Sequence, residues 1–349
     1  MTIPIEVVDN ITAAAVCAPS GDNSQPWCVE VNSTSIRLWV DRCRADSLSD
    51  VGRALTAIAC GAAVENMVIR ASTLGYRASV ILCSDRESPD LVCVVELTPA
   101  DPCASELDDA IPRRCTNRRL FRFRPVSRTL LDGVKGEAEV ISGSQLLWMD
   151  TREKRSAALR LLRLAERERF RWKPLHRELF KSIRFDVGWH LTAEEGLPPG
   201  ALEVEIPFRP IFVALRHWSV MRLLNGIGAW RFLGWRVADL PCRFAPALGL
   251  LTVRSPDCFF EGGRSLQRLW LKATAAGLAM QPFAAAGILP LQLRTSAPAV
   301  PEDVLRELRD RLAALSDGGT GVAFVRLGWA GVPSVRSGRR NPRSFVLPR

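Results

Sequence analysis

The sequence predicts an α+β fold made of two similar halves, and three observations carry that expectation. The first hundred residues read as helix, hairpin, helix, strand, strand. A looser version of the same order follows residue 105. Nowhere does the chain settle into regular βαβ repeats. In order, residues 6–18 read as a helix running into the Pro19 turn. The apolar runs 27–32 and 35–40 flank Asn32-Ser33 and suggest a β-hairpin. Residues 51–74 are alanine-rich with helical periodicity, and Gly75 can close that helix. Ala78–Cys83 and Leu91–Leu97 read as strands. A Pro-containing linker at 99–105 precedes a short helix from Leu107 to Arg114. Residues 144–182 read as largely helical and 186–210 as irregular. A basic aromatic stretch, 216–236, is broken near Gly226 and Gly228. Ala247–Val253 and Thr320–Leu327 are strand candidates, Gly262–Gly277 and Pro301–Leu315 helices, and an Arg/Pro-rich tail follows Ser334. The expected division is 1–104 and 105–349, with an insert within 170–245.

A chain of 349 residues that is 47% hydrophobic can bury a large core or two moderate ones. Its formal charge of +10 comes mainly from arginine and suits an anionic partner or simply a basic surface. No helix-turn-helix, zinc finger or RNA-binding aromatic signature supports nucleic acid. Eight of the ten cysteines precede residue 116, with no Cys-x-x-Cys, and Met1–Asn10 has neither a basic head nor a long apolar run. Free thiols in the cytoplasm are therefore expected, without a secretory leader. His176, His190 and His217 lie in no zinc-like spacing with cysteine, so no metal is expected. Residues 273–293 carry no charge, but Gly277, Pro282, Gly287 and Pro290 argue for a buried helix ending near Pro282 and then a loop, not a membrane span. The basic aromatic stretch leaves peripheral membrane contact open beside the plainer reading of a core or surface helix pair.

Two motifs stand out. Pro19-Ser20-Gly21-Asp22-Asn23-Ser24-Gln25-Pro26-Trp27 is small, polar and turn-forming, and can offer amide, hydroxyl and backbone groups to a planar ligand. Arg113-Arg114-Cys115-Thr116-Asn117-Arg118-Arg119 concentrates guanidinium forks suited to phosphate oxygens. In an extended segment Arg114, Thr116 and Arg118 would share one side. Either motif alone is equally an ordinary turn or an exposed basic loop.

Together they resemble the FMN-dependent nitroreductase superfamily. Asn23, Ser24, Gln25, Pro26 and Trp27 match a Pro-Ser-x-x-Asn-x-Gln-Pro-Trp element. Arg114, Thr116 and Arg118 match an Arg-x-Ser-x-Arg element with threonine for serine. Their order is reversed relative to the usual member. Further matches are Gly61-Ala62-Ala63 with Asn66, Gly263-Arg264-Ser265-Leu266-Gln267, Arg326-Leu327-Gly328, and the pair Arg339-Arg340. The resemblance covers nearly the whole chain and is weak between 170 and 245. It implies a nitroreductase-like fold whose two halves form an intramolecular pseudo-dimer. Such an arrangement resembles the single-chain, dormancy-associated, lid-bearing subgroup, with one flavin site between the halves.

The resemblance implies that Arg114 and Arg118 hold the FMN phosphate with a hydroxyl from Thr116. Arg340 and, less directly, Arg339 add positive charge. Ser20, Asn23 and Gln25 would bond the ring edge or ribityl chain. Gly277 would allow close approach or simply end a helix, and Trp27 would pack. No amino-acid nucleophile is needed, since the chemistry belongs to the flavin. The implied function is NADH- or NADPH-driven reduction of nitroaromatic, quinone-like or other small acceptors. The alternatives are a flavin-sequestering protein without turnover, or a substrate-specific flavin oxidase or dehydrogenase of a biosynthetic pathway. One chain suffices for such a site, and a homodimer is not forbidden.

Overall fold

The computed structural model describes residues 3–45, 47–83 and 88–347. Helix α1 (Ile5–Val16) leads to the hairpin β1 (Trp27–Val31) and β2 (Ser35–Val40). A long helix, α2 (Ala54–Thr73), precedes β3 (Tyr76–Leu82) and β4 (Leu91–Pro99). These four strands form one antiparallel sheet in the order β1-β2-β4-β3. Alanine and glycine along one flank of α2 let it run close to its neighbours. Its first turn is capped by the Asp50 carboxylate, which accepts the Leu55 N–H at 2.6 Å.

The chain continues through α3 (Glu106–Ala110) and α4 (Arg128–Glu139) into β5 (Ser144–Trp148). The longer helices before the next strand are α5 (Arg152–Arg171), α6 (Lys173–Lys181), α7 (Arg209–Leu215), α8 (Trp218–Asn225) and α9 (Ala229–Gly234). Then come β6 (Ala247–Val253), α10 (Phe259–Ala275), β7 (Ala279–Phe283), α11 (Glu302–Ala313) and β8 (Thr320–Gly328). The second sheet has the order β5-β6-β8-β7, the same pattern as the first. The 149–246 segment therefore occupies the place that residues 32–34 hold in the first half.

The two halves meet where α2 crosses α10. A Cβ on Gly61 would lie 1.9 Å from the Phe260 carbonyl oxygen, and one on Gly263 would lie 2.0 Å from that of Ile58. These contacts are reciprocal: a single shift of 202 residues takes 58 to 260 and 61 to 263. Glycine is required because backbone meets backbone there. Beside the crossing, Gln267 donates to Asn66 at 2.6 Å, and buried Glu65 pairs with Arg264 and Arg268, each at 2.7 Å.

The sheets differ in burial. β2 and β4 alternate buried and more exposed positions, as a sheet with one wet face should. β6 and β8 are almost wholly buried, since α10 and α4 cover one face while α5 and α11 cover the other. That explains the unbroken apolar run of Ala247–Val253. All ten cysteines are free. Burial pushes the thiols of Cys93 and Cys242 up to about 12, so they act as apolar filling.

Several expectations need correction. Residues 144–148 form a strand, so 144–182 is not helical from its start. The helix expected to reach Pro282 ends at Ala275, and 279–283 is β7. Proline is tolerated there because β7 lies at the sheet edge. The tail also crosses between halves: Val346 bridges Val29, and Phe345 packs against Trp27 with ring centroids 6.3 Å apart.

Candidate functional site

The loop between α1 and β1 is held in a rare backbone conformation. Asp22, Asn23 and Gln25 have φ of 49°, 60° and 51°. L-residues avoid this region, Asn and Asp least, at a cost on the order of 1 kcal/mol each. Ser20 fixes the loop, its Oγ accepting the Gln25 N–H at 2.9 Å. Strain of this kind gathers at binding sites.

The second motif runs extended along the outer edge of β7. Thr116 bridges Met280 in parallel, and the Asn117 N–H donates to the Met280 carbonyl at 2.9 Å. Fully buried Arg326 ties the segment to β8. It donates to the carbonyl oxygens of Asn117 at 3.3 Å, Arg119 at 2.8 Å and Pro241 at 3.0 Å, and to Gln281 Oε1 at 2.9 Å. It has no carboxylate partner among the described residues, and burial lowers it to about 10.

Both motifs face one cavity of about 1100 Å³, at the upper end of the usual range of about 300–1,000 Å³ for ligand pockets. Its inner wall is the crossing of the halves, with Ile58 and Ala59 from α2 and Leu266 and Trp270 from α10. The insert roofs it with Phe170, Phe212, Leu215 and Phe232.

Three arginines of the lining stand apart from its carboxylates. Arg114 is buried, lies 4.5 Å over the Trp270 ring, and donates from Nη2 to the Cys17 carbonyl at 2.8 Å. Its Nε is buried without a partner. Burial first, and then neighbouring Arg339, lower Arg114 to about 9. Arg118 is also lowered by burial, against an opposing pull from Asp22, and donates to the Ala201 carbonyl at 3.0 Å. Arg339 is lowered by burial; its guanidinium contacts only neutral oxygens, of Asn23 at 2.9 Å, Gly338 at 2.8 Å, Ser337 at 3.4 Å and Ala18 at 3.1 Å, and its Nε too is unpartnered. Among the described residues none of these three arginines has a carboxylate ion-pair partner. Three desolvated cations without an ion-pair contact favour an anionic ligand. Arg169, also lining the cavity, is instead matched by Glu166 at 3.3 Å and Asp22 at 4.0 Å.

No family model matches the chain. It is 26% identical to an uncharacterised Mycobacterium tuberculosis protein over 281 residues, 78% of this chain and 38% of that one. It is 34% identical over 127 residues to a provisionally named NAD(P)H nitroreductase of the same organism, 35% of this chain and 36% of the relative. The chain spans well under half the length of these two curated relatives. Among solved structures, an FMN-bound nitroreductase from Desulfitobacterium hafniense superposes with a TM-score of 0.35 at 14% identity, covering 71% of this chain and 100% of that one.

The residues expected at the site divide into groups. Ser20, Asn23, Arg114, Thr116, Arg118 and Arg339 line the cavity. Asn23 does so with its amide committed: Nδ2 donates to the carbonyls of Glu194 at 3.2 Å, Gly196 at 3.1 Å and Gly338 at 3.2 Å. Gln25 stands behind the wall, donating to Glu194 O at 2.7 Å and accepting from the Arg340 backbone N–H at 3.2 Å. Arg340 is likewise behind it, paired with Glu195 at 3.2 Å and lying 4.3 Å over Phe345. Gly277 is away from the cavity. Its φ of 75° closes α10, with the Leu278 N–H reaching back to Ala273 O at 2.8 Å. Trp27 packs, as expected, and His217 is an exposed residue at the start of α8. Sequence reasoning did not single out Trp270 or Arg169. It named Arg326 only as a motif match. Nothing in sequence distinguishes Arg169 from the other arginines of α5.

Proposed function

We propose that this chain is a single-chain FMN-dependent oxidoreductase of the nitroreductase superfamily, an internal pseudo-dimer with one flavin site between its halves. The halves are taken as 1–104 and 105–349, with the lid within 170–245. The observation that carries the reading is the convergence of the 19–27 and 113–119 motifs on one cavity in which Arg114, Arg118 and Arg339 have no carboxylate ion-pair partner among the described residues. The donor set fits FMN: Arg114, Arg118 and Thr116 would hold the phosphate, with Arg339 adding charge, and Trp270 with the apolar wall suits a planar ring. Bound there, FMN would supply reversible hydride chemistry, driven by NADH or NADPH toward nitroaromatic, quinone-like or other small acceptors. The protein's part is to orient the group, neutralise its phosphate and keep water from the ring. The second half has only residues 140–143 where the first carries the whole 17–26 loop, which argues for one site per chain.

A second reading is favoured by one observation. Residues 194–196 are held against the 19–27 loop by the Asn23 and Gln25 amides, and the insert roofs the cavity. That suits a flavin-holding protein, or an oxidase with a dedicated substrate, as in the dormancy-associated lid-bearing subgroup. The deciding experiment is an absorption spectrum after purification with FMN, followed by anaerobic NADH and NADPH. Retained flavin that bleaches supports the oxidoreductase. Retained flavin that does not bleach supports the second reading. No retained flavin overturns both.

A further inference from the structure

The outer face of the insert combines features that a water-facing surface avoids. Leu223, in the last turn of α8, is 78% exposed, and Ile227, in the turn before α9, is 85% exposed. Ile206, Phe208, Ile211 and Phe232 are also more than half exposed. Scattered single apolar residues need no explanation, but six on one short insert mark an interaction surface. The same stretch, 206–238, contains five arginines and no aspartate or glutamate. Arg236 pairs with Glu205, whereas Arg209, Arg216, Arg222 and Arg231 have no carboxylate partner among the described residues. Half-buried Trp218, Trp230 and Trp235 lie among them, with Arg231 placed 4.8 Å over Trp230.

We propose that this face docks on an anionic lipid bilayer, inserting Leu223 and Ile227 while the arginines meet lipid headgroups. Charge decides among partners. A symmetric contact with a second copy would bring Arg222 and Arg231 against their own like charge. Nucleic acid would match the charge but leave the aliphatic tips in water. A bilayer with anionic headgroups over hydrocarbon satisfies both, and interfacial helices rich in arginine and tryptophan bind that way.

The position of the cavity gives docking a consequence. Phe208, Ile211 and Phe232 belong both to the exposed face and to the cavity lining. These three side chains thus join the cavity lining to the surface proposed to meet lipid. On the oxidoreductase reading, the ligand entering there is an apolar ring compound dissolved in the membrane, such as a quinone with an alkyl tail. Docking itself rests only on the insert and needs no flavin, so either idea can fail without the other.

The test is co-sedimentation of the full chain with phosphatidylcholine vesicles, with and without phosphatidylglycerol. Binding is expected only with phosphatidylglycerol and should weaken with salt as the Debye length falls from about 30 Å at 0.01 M to about 3 Å at 1 M. Arg222→Gln and Arg231→Gln should each weaken it about fivefold. Leu223→Glu with Ile227→Glu should abolish it, and the exposure of both residues should leave circular dichroism and melting temperature unchanged. Absence of binding to phosphatidylglycerol vesicles overturns the proposal, as does binding that neither set of variants alters. A concentration-dependent dimer that the Leu223/Ile227 variant dissociates overturns it in favour of a second copy.

Discussion

Arg114 and Cys17, ninety-seven residues apart in sequence, are joined by a hydrogen bond of 2.8 Å from the guanidinium to the main-chain carbonyl. The bond fixes one motif against the other and leaves the Arg114 Nε buried without a partner. A phosphate would give that group an acceptor and relieve the cost of burying an unmatched cation. Hydrogen bonds to charged groups contribute about 1.5–3 kcal/mol. Arg114→Ala should therefore weaken FMN binding about 10- to 100-fold while leaving riboflavin, which lacks the phosphate, nearly unaffected. Arg114→Lys should recover part of the loss, because a point charge cannot reproduce the fork. Equal loss of FMN and riboflavin in a fluorescence titration would show that Arg114 only supports the fold.

The crossing of α2 and α10 makes a sharper stability prediction. Alanine at 61 or 263 would drive a Cβ into a carbonyl oxygen, which no side-chain rearrangement can relieve. Overpacking of this kind costs about 1–3 kcal/mol. Each variant should melt lower than the parent, and flavin retention should fall with it, since Ile58 and Ala59 line the cavity. Gly136→Ala is the control. Gly136 is exposed within α4, with nothing within 4 Å of an added Cβ. It should stabilise by up to about 1 kcal/mol. Calorimetry that ranked the three variants alike would refute the close-approach argument.

What could be foreseen from sequence follows from how locally each feature is encoded. The hairpin at 27–40, the alanine-rich α2 and the apolar runs of β6 and β8 are specified by their own residues and periodicity. β5 was missed because Ser144–Trp148 is five residues long and merges into the charged run of α5. β7 was misread because Pro282 looks like a helix stop until the partner strand shows it to be at an edge. The site followed the same rule. The Arg114–Thr116–Arg118 alternation was legible because extended backbone alone dictates it. The commitment of Asn23 and Gln25 to the 194–196 segment and the C-terminal tail was not, since their partners are main-chain oxygens at 194, 196 and 338 whose proximity only the tertiary fold creates. Arg326 was visible as a motif but not as a brace, for the same reason.

That latch can be tested directly. The Asn23 amide donates to three carbonyls on two separate segments. Asn23→Ala leaves those oxygens without this donor and gives Arg339 one acceptor fewer. Hydrogen exchange should quicken around 194–197 and 338–340, while β1 and β2 keep their protection. The flavin-free protein should show the change as clearly as the loaded one, because the latch is made of protein alone. Unchanged exchange at 194–197 would mean that the loop is held by other contacts, such as the Gln25 bond.

Acid should loosen the insert before the rest of the chain. His176 is buried between α6 and α7, with Nε2 2.8 Å from the Leu215 carbonyl and its ring against Phe180 and Trp218. Nδ1 is buried without a partner, so protonation there would add a donor with nothing to receive it. Burial holds the imidazole below its ordinary value of 6.5, with Arg177 adding to the effect and the Leu215 bond opposing it. The unfolded insert then binds the proton that the folded one refuses. Its stability is therefore full above about pH 6.5 and is lost as pH falls through the lower folded value, by at most about 1.4 kcal/mol per pH unit. Tryptophan fluorescence in urea should show an insert transition that moves to lower denaturant between pH 7.5 and pH 5. His176→Leu should flatten that dependence, although it also gives up the bond to Leu215. A variant as acid-sensitive as the parent would assign the effect to the carboxylates of the insert instead.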